Sequence, residues 1–197
     1  MQLRFLGDAF DYWKGSLFCR LQGEGILVDF VVDPMLTDPK NWQESDSRLY
    51  ADLLQITKAQ VLRHRRNLRE ERPQYFAEIT HTGDLFLDPD TGIDLRRTRH
   101  SNIERYVKVS EIHQLVRGNL PRILCTYQHL PRKKTEDILR ELMSALSEGG
   151  TGVHYSFYKT WPVGMLFISG SRSRIKALNK YFRDHLGRHS DAKVATW

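Results

Sequence analysis

Apolar residues along the chain alternate between helical and strand spacings, and the resulting order predicts an α/β fold. Apolar positions three and four residues apart predict helices over residues 9–21, 46–56, 57–78, 109–116, 135–150 and 171–186. Short apolar runs predict strands over residues 26–32, 84–88, 122–128, 153–158 and 164–169. Strands separated by helices favour a three-layer sandwich with a mainly parallel central sheet, and the last two strands are expected to form an antiparallel edge.

Turn and capping residues refine these boundaries. Thr57 is a good N-cap for the helix predicted over residues 57–78, and Pro73 marks a break in it or the first turn of a new helix. Residues 90–106 are polar and rich in arginine, which predicts a long surface loop. Loops of this kind often carry function in compact domains.

Composition limits the class of protein. A chain of 197 residues with 40% hydrophobic and 27% charged residues is typical of a single globular domain, here spanning residues 1–197. Asp8, Asp11 and Lys14 interrupt the apolar residues near the N-terminus, and no later run reaches membrane-spanning length. We therefore expect a cytoplasmic protein with no membrane partner.

The excess of basic residues favours a polyanionic partner. The chain has 30 Lys and Arg against 24 Asp and Glu, a formal charge of +6. The cations form three runs: Lys58, Arg63, Arg65, Arg66, Arg69 and Arg72; Arg96, Arg97, Arg99 and Arg105; and Arg132, Lys133 and Lys134. Such runs can follow a phosphate backbone, although Glu70 and Glu71 leave a solvated face with internal ion pairs as the alternative for the first.

Carboxylates follow two of the predicted strands. Asp33 ends the first predicted strand, and Asp88 and Asp90 lie at the end of the second, in the segment DPDTG. In open α/β sheets, ligands bind beyond the carboxyl ends of the strands, where a carboxylate can activate water or stabilise a cation. The alternative is that DPDTG is only a turn, since Asp, Pro and Gly are all turn-forming residues.

A third predicted strand ends in the segment YQHLPR. Tyr127 can stack on a base, Gln128 can read a base edge, and His129 can transfer a proton. Trp161 lies in a loop between two strands, where a large aromatic side chain is a further candidate for stacking. A polar loop with solvated charges is the alternative for the whole segment.

Several functional classes lack their sequence motif. The chain has no glycine-rich dinucleotide or S-adenosylmethionine loop after its first strand, no GxxxxGK[ST], and no GxSxG. Cys19 and Cys125 are isolated from each other and from histidine clusters, so neither a zinc site nor a disulfide framework is predicted. We expect an activity that needs no cofactor.

Three segments together resemble a family of small bacterial proteins: LGDAFDYWKG, LFLDPDTGI and YQHLPR. The family pattern combines a Gly-Asp-x-x-Asp-Tyr-x-Lys opening, an Asp-Pro-Asp-x-Gly strand end and a Tyr-Gln-His-x-Pro-Arg segment, and the likeness covers most of the chain. Lys14 in the opening motif is a candidate substrate-binding residue.

That family is in turn distantly similar to Rossmann-type RNA adenine methyltransferases. These have an early Asp-x-x-Lys helix and a catalytic Asp-Pro-Pro-Tyr, of which Asp88 and Pro89 match here. Asp90 and Thr91 replace the second proline and the aromatic residue that would stack on adenine, and VVDPMLTD replaces the glycine-rich cofactor loop. The departures argue against methyl transfer.

The remaining chemistry is one that needs only water, and hydrolysis of an N-glycosidic bond in DNA fits best. By analogy, the chain is similar to small bacterial phage-defence DNA glycosylases, which excise modified bases without a cofactor. Asp33 and Pro34 are the only match to the uracil-glycosylase signature Gly-Gln-Asp-Pro-Tyr.

This expectation assigns roles to the candidate residues. Asp88 or Asp90 would be the principal carboxylate and Asp33 a second one, with Tyr127, Gln128, His129 and Trp161 around the base, and Arg132, Lys133 and Arg97 on phosphates. A Mg²⁺-dependent nuclease that uses Asp84, Asp88, Asp90 and Asp94 is one alternative. A degenerate methyltransferase-like module that binds nucleic acid or a partner protein is another.

Overall fold

The fold is an α/β sandwich. The computed structural model describes residues 1–63, 66–95, 102–118, 121–130, 135–148, 152–160, 162–185 and 194–196. Its helices are α1 (Ala9–Gly23), α2 (Glu44–Leu53), α3 (Arg72–Ala77), α4 (Val109–Arg117), α5 (Thr135–Glu148) and α6 (Arg172–His185). Its strands are β1 (Val31–Asp33), β2 (Leu85–Leu87), β3 (Gly92–Asp94), β4 (Tyr106–Lys108), β5 (Leu124–His129), β6 (His154–Thr160), β7 (Val163–Ser169) and β8 (Val194–Thr196).

The central sheet has the strand order β1-β2-β5-β7-β6-β8. Strands β1, β2 and β5 are parallel, β7 is antiparallel to both β5 and β6, and β8 is antiparallel to β6. Strands β1, β2, β5 and β6 therefore run in one direction. The α/β class, the mainly parallel sheet and the antiparallel edge predicted from the sequence are confirmed.

Helices cover both faces of the sheet because successive strand residues point to opposite sides. In β2, Phe86 packs in one hydrophobic cluster, whereas Leu85 and Leu87 pack in the other. Apolar residues of α1, α2 and α6 belong to the first cluster, and those of α3, α4 and α5 belong to the second. The sheet is thus the middle of three layers.

The predicted helix over residues 57–78 is wrong. The described part of this segment contains only a 3-10 turn, Lys58–Gln60, and the short helix α3, where Pro73 lies in the first turn. Between them, Val61 forms a parallel bridge with Val32, and the Leu62 amide donates to the Val32 carbonyl at 2.8 Å. Pairing with the sheet therefore replaces the helical hydrogen bonds that the local pattern favours.

Two other predictions need correction. The first strand is confined to β1 and includes Asp33, because residues 26–30 are irregular. The segment over residues 90–106 is not a loop throughout, since β3 and β4 pair in a small parallel sheet and a 3-10 turn, Ile103–Arg105, lies between them.

Helices α1 and α2 pack at backbone contact distance. Gly15 makes this approach possible, because a Cβ atom at its position would overlap the carbonyl oxygen of Leu53. The close approach brings the side chain of Tyr50, on α2, toward the carboxyl end of β2. The packing of α1 against α2 therefore helps to place Tyr50 in the site at the carboxyl end of β2.

Asp84 ties the amino ends of the strands together. The carboxylate is fully buried, and it accepts hydrogen bonds from the amides of Val28 and Ile123, both at 2.7 Å. The Arg174 guanidinium of α6 donates to the same carboxylate at 2.7 Å. One side chain thus links β2 to the segments preceding β1 and β5 and to the last long helix.

We expect Asp84→Ala to destabilise the fold strongly. The change leaves the buried Ile123 amide, the partly buried Val28 amide and one guanidinium without their acceptor, and losses of this kind cost about 3–5 kcal/mol. Urea denaturation measures the free energy of unfolding. Asp52→Ala, at an exposed position of α2, is the matched control and should change it by less than about 0.5 kcal/mol. Equal stability of the two variants would contradict the role given to Asp84.

Candidate functional site

A cleft of about 310 Å³ lies beyond the carboxyl ends of the parallel strands. Residues that follow β2, the last residues of β5 and the first turns of α1 form most of its wall. Its charged and aromatic side chains are Phe5, Asp8, Phe10, Asp11, Lys14, Asp88, Asp90, Arg105, Tyr127 and His129. The cleft lies beyond the strand ends at which the sequence predicts a site, and α1 adds further residues to its wall.

The first turns of α1 supply an acidic and a basic side chain to the cleft, Asp11 and Lys14. The Asp8 side chain caps the helix, accepting from the amides of Phe10 at 2.8 Å and Asp11 at 3.3 Å. Asp11 and Lys14 are three residues apart and so lie on one side of the helix. Both are buried, and Lys14 Nζ is 2.7 Å from Asp11 Oδ1.

Asp88 is the centre of the network. Its Oδ2 atom accepts from Lys14 Nζ at 2.8 Å and from the Tyr50 hydroxyl at 2.7 Å. Among the described residues, none donates to the other oxygen, Oδ1, although the residue is only 3% exposed and lines the cleft. Asp88 is therefore fixed through one oxygen while the other is available to a ligand.

Burial and neighbouring charges shift the pKa values of three side chains in this network. Burial opposes the charge on Lys14, but the carboxylates of Asp88 and Asp11 outweigh burial and raise its pKa above the ordinary value. Burial and the neighbouring Asp88 raise the pKa of the Tyr50 hydroxyl, which therefore remains a neutral donor. Burial also raises the pKa of Asp11, although Lys14 opposes the shift.

Asp90 lies near Arg105 and the N-terminal nitrogen of Met1 and accepts no hydrogen bond from the described residues. Its side chain is fully buried, with Oδ2 at 3.6 Å from Arg105 Nε and Oδ1 at 3.6 Å from the N-terminal nitrogen of Met1. Neither oxygen accepts a hydrogen bond from the described residues. Asp90 is thus a carboxylate of the cleft wall that lacks the hydrogen bonds by which Asp88 is held.

Tyr127 and His129 occupy the cleft as the sequence predicted. Lys14 Nζ lies 5.6 Å from the centroid of the Tyr127 ring, and the Phe10 ring is 6.4 Å away. Burial raises the pKa of the Tyr127 hydroxyl, so this side chain is neutral. His129, the last residue of β5, is exposed and can meet a ligand directly.

Asp33 and Gln128 lie close to the cleft, but both are engaged inside the protein and neither lines it. Asp33 is fully buried and accepts from the amide of Met35 at 2.9 Å and from the Tyr75 hydroxyl at 2.6 Å. The Gln128 amide accepts from the Ile93 amide and donates to the His129 carbonyl, both at 2.9 Å. It anchors β3 to β5, so it is not free to read a base edge in this conformation.

Four predicted ligand contacts, Trp161, Arg132, Lys133 and Arg97, lie outside the described residues.

In the first basic run, the described cations are largely paired with acids. Lys58 and Arg63 contact Glu44, and Arg66 contacts Glu71 and Glu78. Arg72 is buried and forms a bidentate pair with Glu111. This run is therefore not the open, helical row of cations that the sequence predicted.

The acids of the nuclease alternative do not converge. Asp84 and Asp88 lie at opposite ends of β2, and Asp84 is committed to the contacts described above. Within the described ranges, no group of three or more His, Cys, Asp or Glu side chains is arranged to hold a metal ion.

Sequence reasoning missed Asp11, Tyr50 and Phe10. Asp11 and Lys14 at a spacing of three in a predicted helix were a usable signal for a paired site. Tyr50 gave no such signal, because it reaches Asp88 from a helix far away in the chain.

Comparisons with known proteins give no family. No family model and no curated protein matches the chain. A crystal structure of a DUF519 protein from Legionella pneumophila is similar with a TM-score of 0.38 and 13% sequence identity, over 85% of this chain. The chain spans 58% of the length of that protein.

In the part of the chain that is described, no helix has both the length and the apolar character needed to cross a membrane.

We expect the stability contribution of Asp11 to fall as the pH rises. Because the folded-state pKa of Asp11 is raised above its unfolded value of 3.8, the folded state binds the proton more tightly, and this advantage disappears as the pH passes through the folded-state pKa. Urea denaturation of wild type and Asp11→Asn from about pH 4 to about pH 7 tests this. The stability of Asp11→Asn relative to wild type should increase with pH; a constant or decreasing difference would contradict the assignment.

Proposed function

We propose that the protein hydrolyses N-glycosidic bonds in DNA and releases a base, with Asp88 as the catalytic carboxylate. The observation that supports this most is the asymmetry of Asp88, whose Oδ2 is held by Lys14 and Tyr50 while Oδ1 receives no hydrogen bond from the described residues. A carboxylate fixed in this way needs little reorganisation during the reaction.

The proposed reaction uses one water molecule. The bond between the sugar C1′ atom and the base nitrogen breaks, the electron pair leaves with the base, and positive charge develops on the sugar. Asp88 Oδ1 faces that charge and accepts a proton from the attacking water as the new C1′–O bond forms. His129 donates a proton to the departing base and can recover one from solvent, since it is exposed.

Lys14 and Tyr50 hold the Asp88 side chain in place. The Lys14 ammonium and the Tyr50 hydroxyl both donate to Oδ2, and together they fix the orientation of the carboxylate. Both contacts are buried, where electrostatic interactions are stronger than in water. Neither residue needs to touch the substrate for this purpose.

The remaining cleft residues suit a nucleotide. Phe5, Phe10 and Tyr127 offer aromatic surface for stacking, and Phe5 is 40% exposed. Arg105 is partly exposed and can contact a flanking phosphate. DNA as the partner, the cytoplasmic location, the absence of a cofactor and a role in defence against phage all belong to the proposal.

Base release from DNA tests the proposed function. Purified protein is incubated with unmodified DNA and with phage DNA that carries modified bases, and released bases are identified by mass spectrometry. Asp88→Asn keeps the size of the side chain but removes the carboxylate, so we expect base release to fall by about 10²–10⁴-fold.

Asp52→Asn, an equivalent change at an exposed position of α2, is the control and should retain wild-type activity. Absence of base release by the wild type on every DNA tested would overturn the proposal. Strand cleavage that EDTA abolishes and that needs no alkali would favour a nuclease instead.

We further expect no covalent intermediate with Lys14. A lysine must lose its proton to attack a sugar carbon, and the two carboxylates beside Lys14 raise its pKa and keep it charged. Sodium borohydride added during the reaction should therefore trap no protein–DNA adduct, as judged by denaturing gel electrophoresis. A trapped adduct that disappears in Lys14→Met would show that Lys14 is a nucleophile.

A further inference from the structure

The outer face of α6 carries an accumulation of positive charge distant in sequence from the three basic runs. Five of its residues are Lys or Arg and one is Asp, so this helix has a formal charge of +4, against +6 for the whole protein. Arg174 is used internally, since it donates to Asp84. The other four cations, Arg172, Lys176, Lys180 and Arg183, recur every three or four residues and therefore lie on one face.

These four cations line one groove together with a polar and a titratable side chain. The groove has a volume of about 520 Å³, and its polar lining consists of His154, Arg172, Lys176, Asn179, Lys180 and Arg183. Among the described residues of the lining, none is acidic. Arg172, Lys176 and Arg183 form no ion pair with the described residues, whereas Lys180 contacts Asp184. This is a clear difference from the run between Lys58 and Arg72, where most cations have an acidic partner.

Asn179 adds a buried polar side chain to the groove. It is only 8% exposed, yet its Oδ1 atom is buried without a hydrogen bond, and its side-chain amide makes none with the described residues. A buried amide without a partner is unfavourable, and such groups in folded proteins are usually satisfied by water or a ligand. Its position between Lys176 and Lys180 on the helix places it inside the row of cations.

We infer that the α6 groove, defined by these six residues, binds the sugar-phosphate backbone of a nucleic acid. From Arg172 to Arg183 the helix rises by about 16 Å, which corresponds to roughly five nucleotides of one B-DNA strand at 3.4 Å each. A row of four cations, three of which form no ion pair with the described residues, complements a line of phosphates. The preference for nucleic acid over another polyanion rests on the proposed function.

The direction of α6 connects this groove to the cleft. Strand β7 begins beside the carboxyl end of β5, where the cleft lies, and ends beside the amino end of β5. This follows from the register, in which Val163 pairs with His129 and Ile168 pairs with Leu124. Helix α6 then returns toward the cleft edge, where Phe182 stacks on Tyr158 at 5.2 Å. A strand that follows the cations from Arg172 to Arg183 is therefore led toward the edge of the sheet where the cleft lies.

Fluorescence anisotropy with a short labelled DNA measures the contribution of the groove. The test variant is Arg172→Gln/Lys176→Gln/Arg183→Gln, and it is compared in an Asp88→Asn background so that no DNA is consumed. We expect its affinity to fall at least about tenfold and its salt dependence, the slope of log K against log salt concentration, to decrease by roughly 2 to 3.

Arg20→Gln/Lys40→Gln/Arg48→Gln is the matched control, because it removes the same charge from exposed positions outside the groove and outside the three basic runs. Its affinity and salt slope should stay near those of the parent, and thermal denaturation should show all three proteins folded. An equal loss of affinity in the two triple variants would overturn the inference, since net charge alone would then explain binding.

Anionic vesicles of phosphatidylglycerol provide the competing partner. Binding of the parent to vesicles but not to DNA would also overturn the inference. Failure of the proposed hydrolysis is a separate result, because base release is measured with the wild type and DNA binding with the inactive background. Loss of DNA binding in the α6 variant with no base release by the wild type would support the groove and reject the activity.

Discussion

The buried ion pair between Lys14 and Asp88 is the interaction on which the candidate site depends. Desolvation of two charges is costly, and the cost is offset only where geometry is good and further hydrogen bonds complete the arrangement. Here Asp11 and Tyr50 supply these contacts, so four side chains from α1, α2 and the end of β2 form one network. Removal of the Lys14 cation would leave the two buried carboxylates, Asp11 and Asp88, with only neutral hydrogen-bond donors. The network therefore couples the position of α1 to the chemistry at the sheet.

The position of the site could be predicted from the sequence to a useful extent. Carboxyl ends of parallel strands meet at one edge of a sheet, so Asp88, Tyr127 and His129 were expected near one another, and they are. What could not be predicted is which oxygen of Asp88 is engaged. That depends on Tyr50, whose contact with Asp88 spans 38 residues and follows from tertiary packing alone.

The failures of sequence reasoning have physical causes that differ. Residues 57–78 have helical periodicity, but the backbone at Val61 and Leu62 pairs with β1, and a tertiary hydrogen bond overrides local preference. Asp33 and Asp88 share the same Asp-Pro signature at a strand end, yet Asp33 is enclosed by Tyr75 and the Met35 amide. The first basic run was expected to face a polyanion, whereas its described cations Arg63 and Arg72 contact acids that are far away in the chain, Glu44 and Glu111.

Gly15 shows how a residue without a side chain governs a site that it does not touch. Its missing Cβ lets α1 and α2 approach until backbones meet, and this spacing lets the Tyr50 hydroxyl reach Asp88. Exposed neighbours on the same helix, such as Ser16 and Cys19, face no such restriction. Natural variation along α1 should therefore be uneven. Solvent-exposed positions should accept many residue types, whereas position 15 should accept only glycine. A related protein with a larger residue at position 15 would need a different hydrogen-bond donor to hold Asp88 in place of Tyr50.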